Sequence, residues 1–206
     1  MNVDALAHKY EQCCTEPSDI NEHLPTFVKA IDEVGATSVI ELGVRYGVST
    51  IGWLYGLNGK GHLWSVDCAF PGARPNDPLL RAPEEETSLL DSQVPGGIGI
   101  VEYWTFLLGY DDWPAILDAL PTETDIVFID TQHTYEQTLL ELNLYYPRVR
   151  SGGRIFLHDT ALESTPNATT PQPPYPVLTA MTEFCETNNL KWDNNPNCSG
   201  LGTIYC

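Results

Sequence analysis

Residues 38–50 read Ser38-Val39-Ile40-Glu41-Leu42-Gly43-Val44-Arg45-Tyr46-Gly47-Val48-Ser49-Thr50. The first five residues suit a buried strand. Gly43 permits a tight turn after it, and Gly47 with Ser49 and Thr50 opens a helix over residues 48–57. A strand that feeds a helix through a glycine turn is the first half of a βαβ unit. The free amides and dipole at that helix start favour a carboxylate or a phosphate. The glycines are spaced G-x-x-x-G rather than G-x-G-x-x-G, so the dinucleotide fingerprint is absent. Glu41, two residues before the first glycine, points toward a ligand with a cationic group.

The alternation continues outward from this unit. Residues 62–67, 100–108, 125–130, 154–158 and 201–206 read as further strands. Helices are expected over residues 84–91, 114–120, 134–146 and 175–188, with loops at 68–83 and 160–174. Before the first strand, residues 4–14 read as a short helix. A second helix is expected to start at Ser18-Asp19, run through Phe27, Val28, Ile31 and Val34, and stop at Gly35. Apolar strands alternating with helices predict an α/β fold around a mostly parallel sheet. A 206-residue chain suits one domain. The reading is a single domain with an N-terminal helical segment at 1–35 and a core at 36–206.

The ten Lys and Arg residues against 28 Asp and Glu give a net charge of −18. A surface this acidic repels phosphate backbones and anionic lipid, which argues against nucleic-acid and membrane partners. No secretory apolar region and no membrane-length apolar run is visible, so a cytoplasmic protein is expected. The six cysteines include no C-x-x-C pair, and free thiols are expected.

In an open parallel sheet, ligands bind outside the carboxyl ends of the strands. Five such ends here carry acidic or histidine residues: Glu41, Asp67, Asp111-Asp112, Asp130 with His133, and His158-Asp159. Asp67, ending the second strand, is placed to accept hydrogen bonds from a ribose diol. Asp130 and Asp159 end two neighbouring strands and face one crevice. Carboxylates held together repel unless a proton or a cation lies between them, and a hard divalent cation fits, Mg²⁺ above all. His133, three residues beyond Asp130, has the intrinsic pKa of a general base near neutrality.

Taken together, the E-x-G-x-x-x-G turn, Asp67 and the acidic turn at residues 109–112 resemble the class I SAM-dependent methyltransferases over about residues 20–206. The resemblance implies a Rossmann-like, doubly wound seven-stranded sheet with helices on both faces. It implies S-adenosylmethionine (SAM) as cofactor, held by Glu41, Gly43, Tyr46, Gly47, Ser49, Thr50, Asp67, Asp111 and Asp112. Arg45 stands where that family often has a further glycine. The segments Asp130-Thr131-Gln132-His133 and His158-Asp159 resemble the metal-dependent sugar O-methyltransferases and the cephalosporin-hydroxylase-like proteins. That likeness implies Mg²⁺ on Asp130, His158 and Asp159, with His133 as the catalytic base. The expected acceptor is a small molecule or glycan with a hydroxyl or vicinal diol, and a homo-oligomer is compatible with the family. The alternative is a SAM- or nucleotide-binding module with a degenerate metal site and no turnover. The segment 160–174, rich in Pro and Thr, is expected to form a lid or an acceptor wall.

Overall fold

A computed structural model describes residues 2–69, 102–164 and 170–206. The expected helix at 84–91 and most of the loop at 68–83 fall outside the described residues.

Helix α1 (Val3–Thr15) and helix α2 (Leu24–Val34) precede the first strand. Leu24, Phe27, Ala30 and Ile31 of α2 are buried, three or four residues apart, so one helical face enters the core. Gly35 closes α2 in the left-handed conformation. The expected cap at Ser18-Asp19 is corrected: a 3₁₀ turn (Asn21–His23) comes first, and α2 begins with Pro25 in its first turn. Ser18 Oγ instead accepts from the amide of Ile20, closing a local turn.

The core follows the expected alternation: β1 (Ser38–Leu42), α3 (Val48–Leu57), β2 (His62–Asp67), β3 (Trp104–Leu108), α4 (Pro114–Ala119), β4 (Thr124–Ile129), α5 (Tyr135–Tyr145), β5 (Val149–His158), α6 (Pro176–Asn188), β6 (Lys191–Asn195) and β7 (Leu201–Tyr205). The strands form one sheet of order β3-β2-β1-β4-β5-β7-β6. All are parallel except β7, which runs antiparallel to both neighbours. The seven-stranded, mostly parallel Rossmann-like sheet is therefore observed. Strand β6 was not expected, because its sequence Lys191-Trp192-Asp193-Asn194-Asn195 is polar and it lies at an edge.

Strand residues alternate between two hydrophobic layers, as a period of two requires. Val39, Ile126, Phe128 and Phe156 pack with Leu24, Phe27, Ile51 and Trp53 on one face. Ile40, Val127, Ile129, Ile155 and Leu157 pack with Ile116, Leu142, Tyr145 and Met181 on the other. Helices cover both faces, which is why every residue of β4 is buried. The chain winds outward from β1 to β3, then returns to β4 beside β1. The switch point thus lies between β1 and β4, and their carboxyl ends frame the site. The six cysteines are free thiols. Among the described residues, no helix is long and apolar enough to cross a membrane.

Candidate active site

A cavity of about 1000 Å³ opens at the carboxyl ends of β1 to β4. Its wall includes Gly43, Tyr46, Gly47, Ser49, Asp67, Asp111, Asp112, Asp130, His133 and Asp159, ten residues singled out in the sequence. Gly43 packs so closely on β4 that any Cβ there would overlap the carbonyl oxygen of Asp130. This contact sets the distance between the glycine turn and the acidic cluster. Arg45 adopts the left-handed conformation (φ 50°) that a glycine would take without cost. Its guanidinium reaches Asp19 at 2.9 Å and lies over the ring of Tyr46.

Glu41 and Thr50, expected among the cofactor contacts, sit beneath the turn instead of on the cavity wall. Glu41 is fully buried. Its carboxyl accepts from Ser49 Oγ at 2.6 Å, Thr50 Oγ1 at 2.8 Å and Ser65 Oγ at 2.5 Å. Burial pushes its pKa up to about 7, even though these three hydroxyls favour the charged form. Glu41 thus ties β1, β2 and the start of α3 together from inside. Asp67 has a similar bracing part in addition to its place on the wall. Its Oδ2 accepts from the amides of Val44 and Arg45 at 2.9 and 3.0 Å, and Oδ1 from Ala69 at 3.0 Å.

The two acids of the turn after β3 differ sharply. Asp112 is exposed, whereas Asp111 is only 8% exposed. Asp111 Oδ1 accepts from Gln137 Nε2 at 3.3 Å, and its backbone carbonyl accepts from the hydroxyl of Tyr145.

At the other end of the cavity, His133 Nε2 lies 2.7 Å from Asp159 Oδ2 and 3.5 Å from Asp130 Oδ1. Burial alone would lower the pKa of His133. Hydrogen bonds and charge from Asp130 and Asp159 outweigh it and push the pKa up to about 9. Burial would raise the pKa of both carboxyls, but hydrogen bonds from His133 and His158 hold them below the usual range. His158 differs from the expectation. It is 2% exposed and is not on the cavity wall. Its Nε2 faces the carbonyl oxygens of Asp19 (2.9 Å) and Cys198 (3.2 Å), so that nitrogen carries a proton. Its Nδ1 lies 3.3 Å from Asp130 and 3.4 Å from Asp159. With acceptors at both nitrogens it is held as an imidazolium, its pKa pushed up to about 11 by the two carboxylates against the opposing effect of burial.

Among the described residues, ligand atoms of Asp130, His133 and Asp159 all lie within 4.8 Å of one another. His133 therefore joins the two carboxylates in a set that could hold a cation, while His158 lies behind them with Nε2 turned to backbone carbonyls. Two carboxylate oxygens and an imidazole nitrogen fit a divalent ion. The nitrogen donor suits Mn²⁺ or Zn²⁺ better than Mg²⁺, which prefers oxygen throughout.

Sequence reasoning missed the third side of the cavity. Lys9, Cys13 and residues 16–20 of the N-terminal segment line it, together with Thr131, Gln132 and Gln137. An amphipathic helix followed by a Pro-Ser-Asp turn carries no signal of this placement. Conversely, no described residue of 160–174 lines the cavity. Gln172 instead bonds to α5, at the amide of Tyr135 and the carboxylate of Glu136.

Comparison with known proteins agrees with this architecture. Residues 40–160 match the family described as a methyltransferase domain. The O-methyltransferase of Bacillus cereus, solved in complex with S-adenosylhomocysteine (SAH), superposes with a TM-score of 0.62 at 13% identity, covering 100% of this chain and 90% of that one. The SAH-bound methyltransferase of Podospora anserina gives a TM-score of 0.62 at 16% identity, covering 98% and 87%. A 44-residue stretch is 48% identical to an uncharacterized protein of Acanthamoeba polyphaga mimivirus. It spans 21% of this chain and about a fifth (20%) of that protein's length.

Proposed function

The chain belongs to the methyltransferase-domain family, and on that premise we propose that it transfers a methyl group from SAM to a hydroxyl oxygen of a small acceptor, a sugar or another vicinal diol, in the cytoplasm. The observation that carries this reading is that one cavity joins the glycine turn and Asp67 to the cluster of Asp130, His133 and Asp159. A nucleoside cofactor and an acceptor hydroxyl can meet there. The start of α3 offers amides to the methionine carboxylate. Asp67 is already fixed by three amides, and a carboxylate has lone pairs enough to accept from ribose hydroxyls as well. The acidic wall suits a cofactor whose sulfonium is positive.

In the reaction, the acceptor oxygen forms a bond to the methyl carbon as the carbon–sulfur bond breaks. The hydroxyl proton is lost, and SAH is released. A divalent cation held by Asp130, His133 and Asp159 would offset the paired carboxylates and lower the pKa of the acceptor hydroxyl. As it stands, His133 is an acid at neutral pH, because two carboxylates hold its proton. A cation bound at Nε2 would displace that proton and occupy the lone pair, so in the loaded site His133 would be a ligand rather than the expected base, and the proton of the acidified hydroxyl would pass to water.

The test is transfer of labelled methyl from SAM across a panel of catechols, sugars and glycosides, with and without Mn²⁺ or Mg²⁺. Cation-dependent methylation of a hydroxyl supports the reading. Tight SAM binding with no turnover on any hydroxyl acceptor favours a binding module instead.

A further inference from the structure

Gln137 stands in α5 at the point where the cavity wall meets the turn after β3. Its Nε2 donates to Glu141 Oε1 at 2.9 Å and to Asp111 Oδ1 at 3.3 Å. Glu141 is fully buried and Asp111 nearly so. Glu141 Oε1 also accepts from the hydroxyl of Thr131. The outer oxygens, Asp111 Oδ2 and Glu141 Oε2, are buried and meet no conventional donor among the described residues. Glu141 holds its proton, its pKa pushed up to about 9, first by burial and then by the neighbouring Asp111.

This arrangement fixes the orientation of the Gln137 amide. A primary amide has a donating end and an accepting end. Turned the other way, its carbonyl oxygen would face Asp111 Oδ1 and Glu141 Oε1, and the latter already accepts from Thr131, which leaves the proton of Glu141 on Oε2. The nitrogen end therefore faces inward, and the oxygen end is left for the cavity.

We propose that Gln137 selects the base of the cofactor: with its nitrogen committed to Asp111 and Glu141, Oε1 stands on the cavity wall as an acceptor for the exocyclic amino group of adenine. Asp111, expected to contact the cofactor, is then a positioning residue that acts through Gln137. Glu141 is a second positioning residue, and as a neutral acid it completes the set without adding a buried charge. A base with an oxo group at the same position presents a second acceptor to Oε1 and is rejected.

The proposal rests on the cofactor reading above, and the experiment separates the two. Calorimetry on the full chain compares SAH with its 6-oxo analogue, S-inosylhomocysteine. The wild type is expected to bind SAH at least about tenfold more tightly, since a site built around one hydrogen bond loses that bond and leaves an acceptor unpaired. Gln137→Leu should lose most of that preference, with SAH affinity falling toward that of the analogue and the analogue hardly changed. Gln137→Met, an unbranched residue of similar length, should behave alike and guards against a packing artefact of the first variant. Equal affinity of the wild type for the two ligands overturns the Gln137 proposal alone, as does a preference that survives both variants. A preference lost in Asp112→Asn but kept in Gln137→Leu moves the contact to Asp112 and overturns it too. A wild type that binds neither ligand removes the cofactor reading, and the proposal with it.

Discussion

Glu41 gives the sharpest test of how the glycine turn is braced. Its carboxyl is fully buried between β1, β2 and α3, and its pKa rises from 4.5 unfolded to about 7 folded. Folding therefore favours the protonated form. The stabilisation is fully present below the unfolded pKa, where both states hold the proton, and it is lost as pH rises through about 7. A tenfold difference in proton affinity between the folded and unfolded states is worth about 1.4 kcal/mol, so this group should lower stability by about 2.5 kcal/mol between roughly pH 5 and pH 8. Glu41→Gln keeps the shape and removes the titration. Its amide also finds partners, because the hydroxyls of Ser49, Thr50 and Ser65 can accept as well as donate. Urea denaturation of both proteins at several pH values gives the difference in unfolding free energy, variant minus wild type. That difference should rise by about 2–3 kcal/mol from roughly pH 5 to pH 8, whatever constant offset the new hydrogen bonds add. Other titrating groups are common to both proteins and cancel. Parallel stability curves, or a difference that falls with pH, would refute the reasoning.

Three further outcomes are expected. Gly43→Ala must move either the turn or β4, since its Cβ would overlap the carbonyl oxygen of Asp130, and φ is +88°; a folded variant should bind SAH at least about tenfold more weakly, as read by calorimetry. Asp67→Ala removes the acceptor of three backbone amides; SAH affinity should fall about tenfold or more and Tm should fall by several degrees, about 1 kcal/mol for each lost bond. Exhaustive dialysis against a chelator should abolish methyl transfer and leave SAH binding unchanged; Mn²⁺ should restore turnover at lower concentration than Mg²⁺, because one of the three donors is a nitrogen, and full activity after chelation would remove the cation site.

The sequence carried the strands that are buried on both faces. Residues 126–129 are a continuous apolar run, and three of the five residues at 38–42 are apolar, as central strands of a covered sheet require. The polar edge strand β6 left no such trace, since an exposed strand has no apolar face to declare. The start of α2 was misplaced because Ser18 closes a turn of its own, and short polar side chains serve turns and caps alike.

The chemistry divides in the same way. Five polar strand ends in chain order were enough to put a ligand site at the carboxyl edge of the sheet and to name Asp67, Asp130 and Asp159 on its wall. Those residues end strands, and the direction of a parallel strand fixes where its end lies. Which histidine joins the two carboxylates was not available from order alone. His133 and His158 are both close in sequence to an aspartate. Only packing sends Nε2 of His158 to the carbonyls of Asp19 and Cys198, 139 and 40 residues away, and leaves His133 at the cavity. The same holds for Glu41, drawn beneath the turn by hydroxyls from two other elements, and for Gln137, oriented by an aspartate 26 residues earlier. Periodicity along the chain thus determined the scaffold and the edge where the site lies. The direction, proton content and partner of each polar side chain were decided by contacts between residues far apart in sequence, and those exist only once the sheet has closed around them.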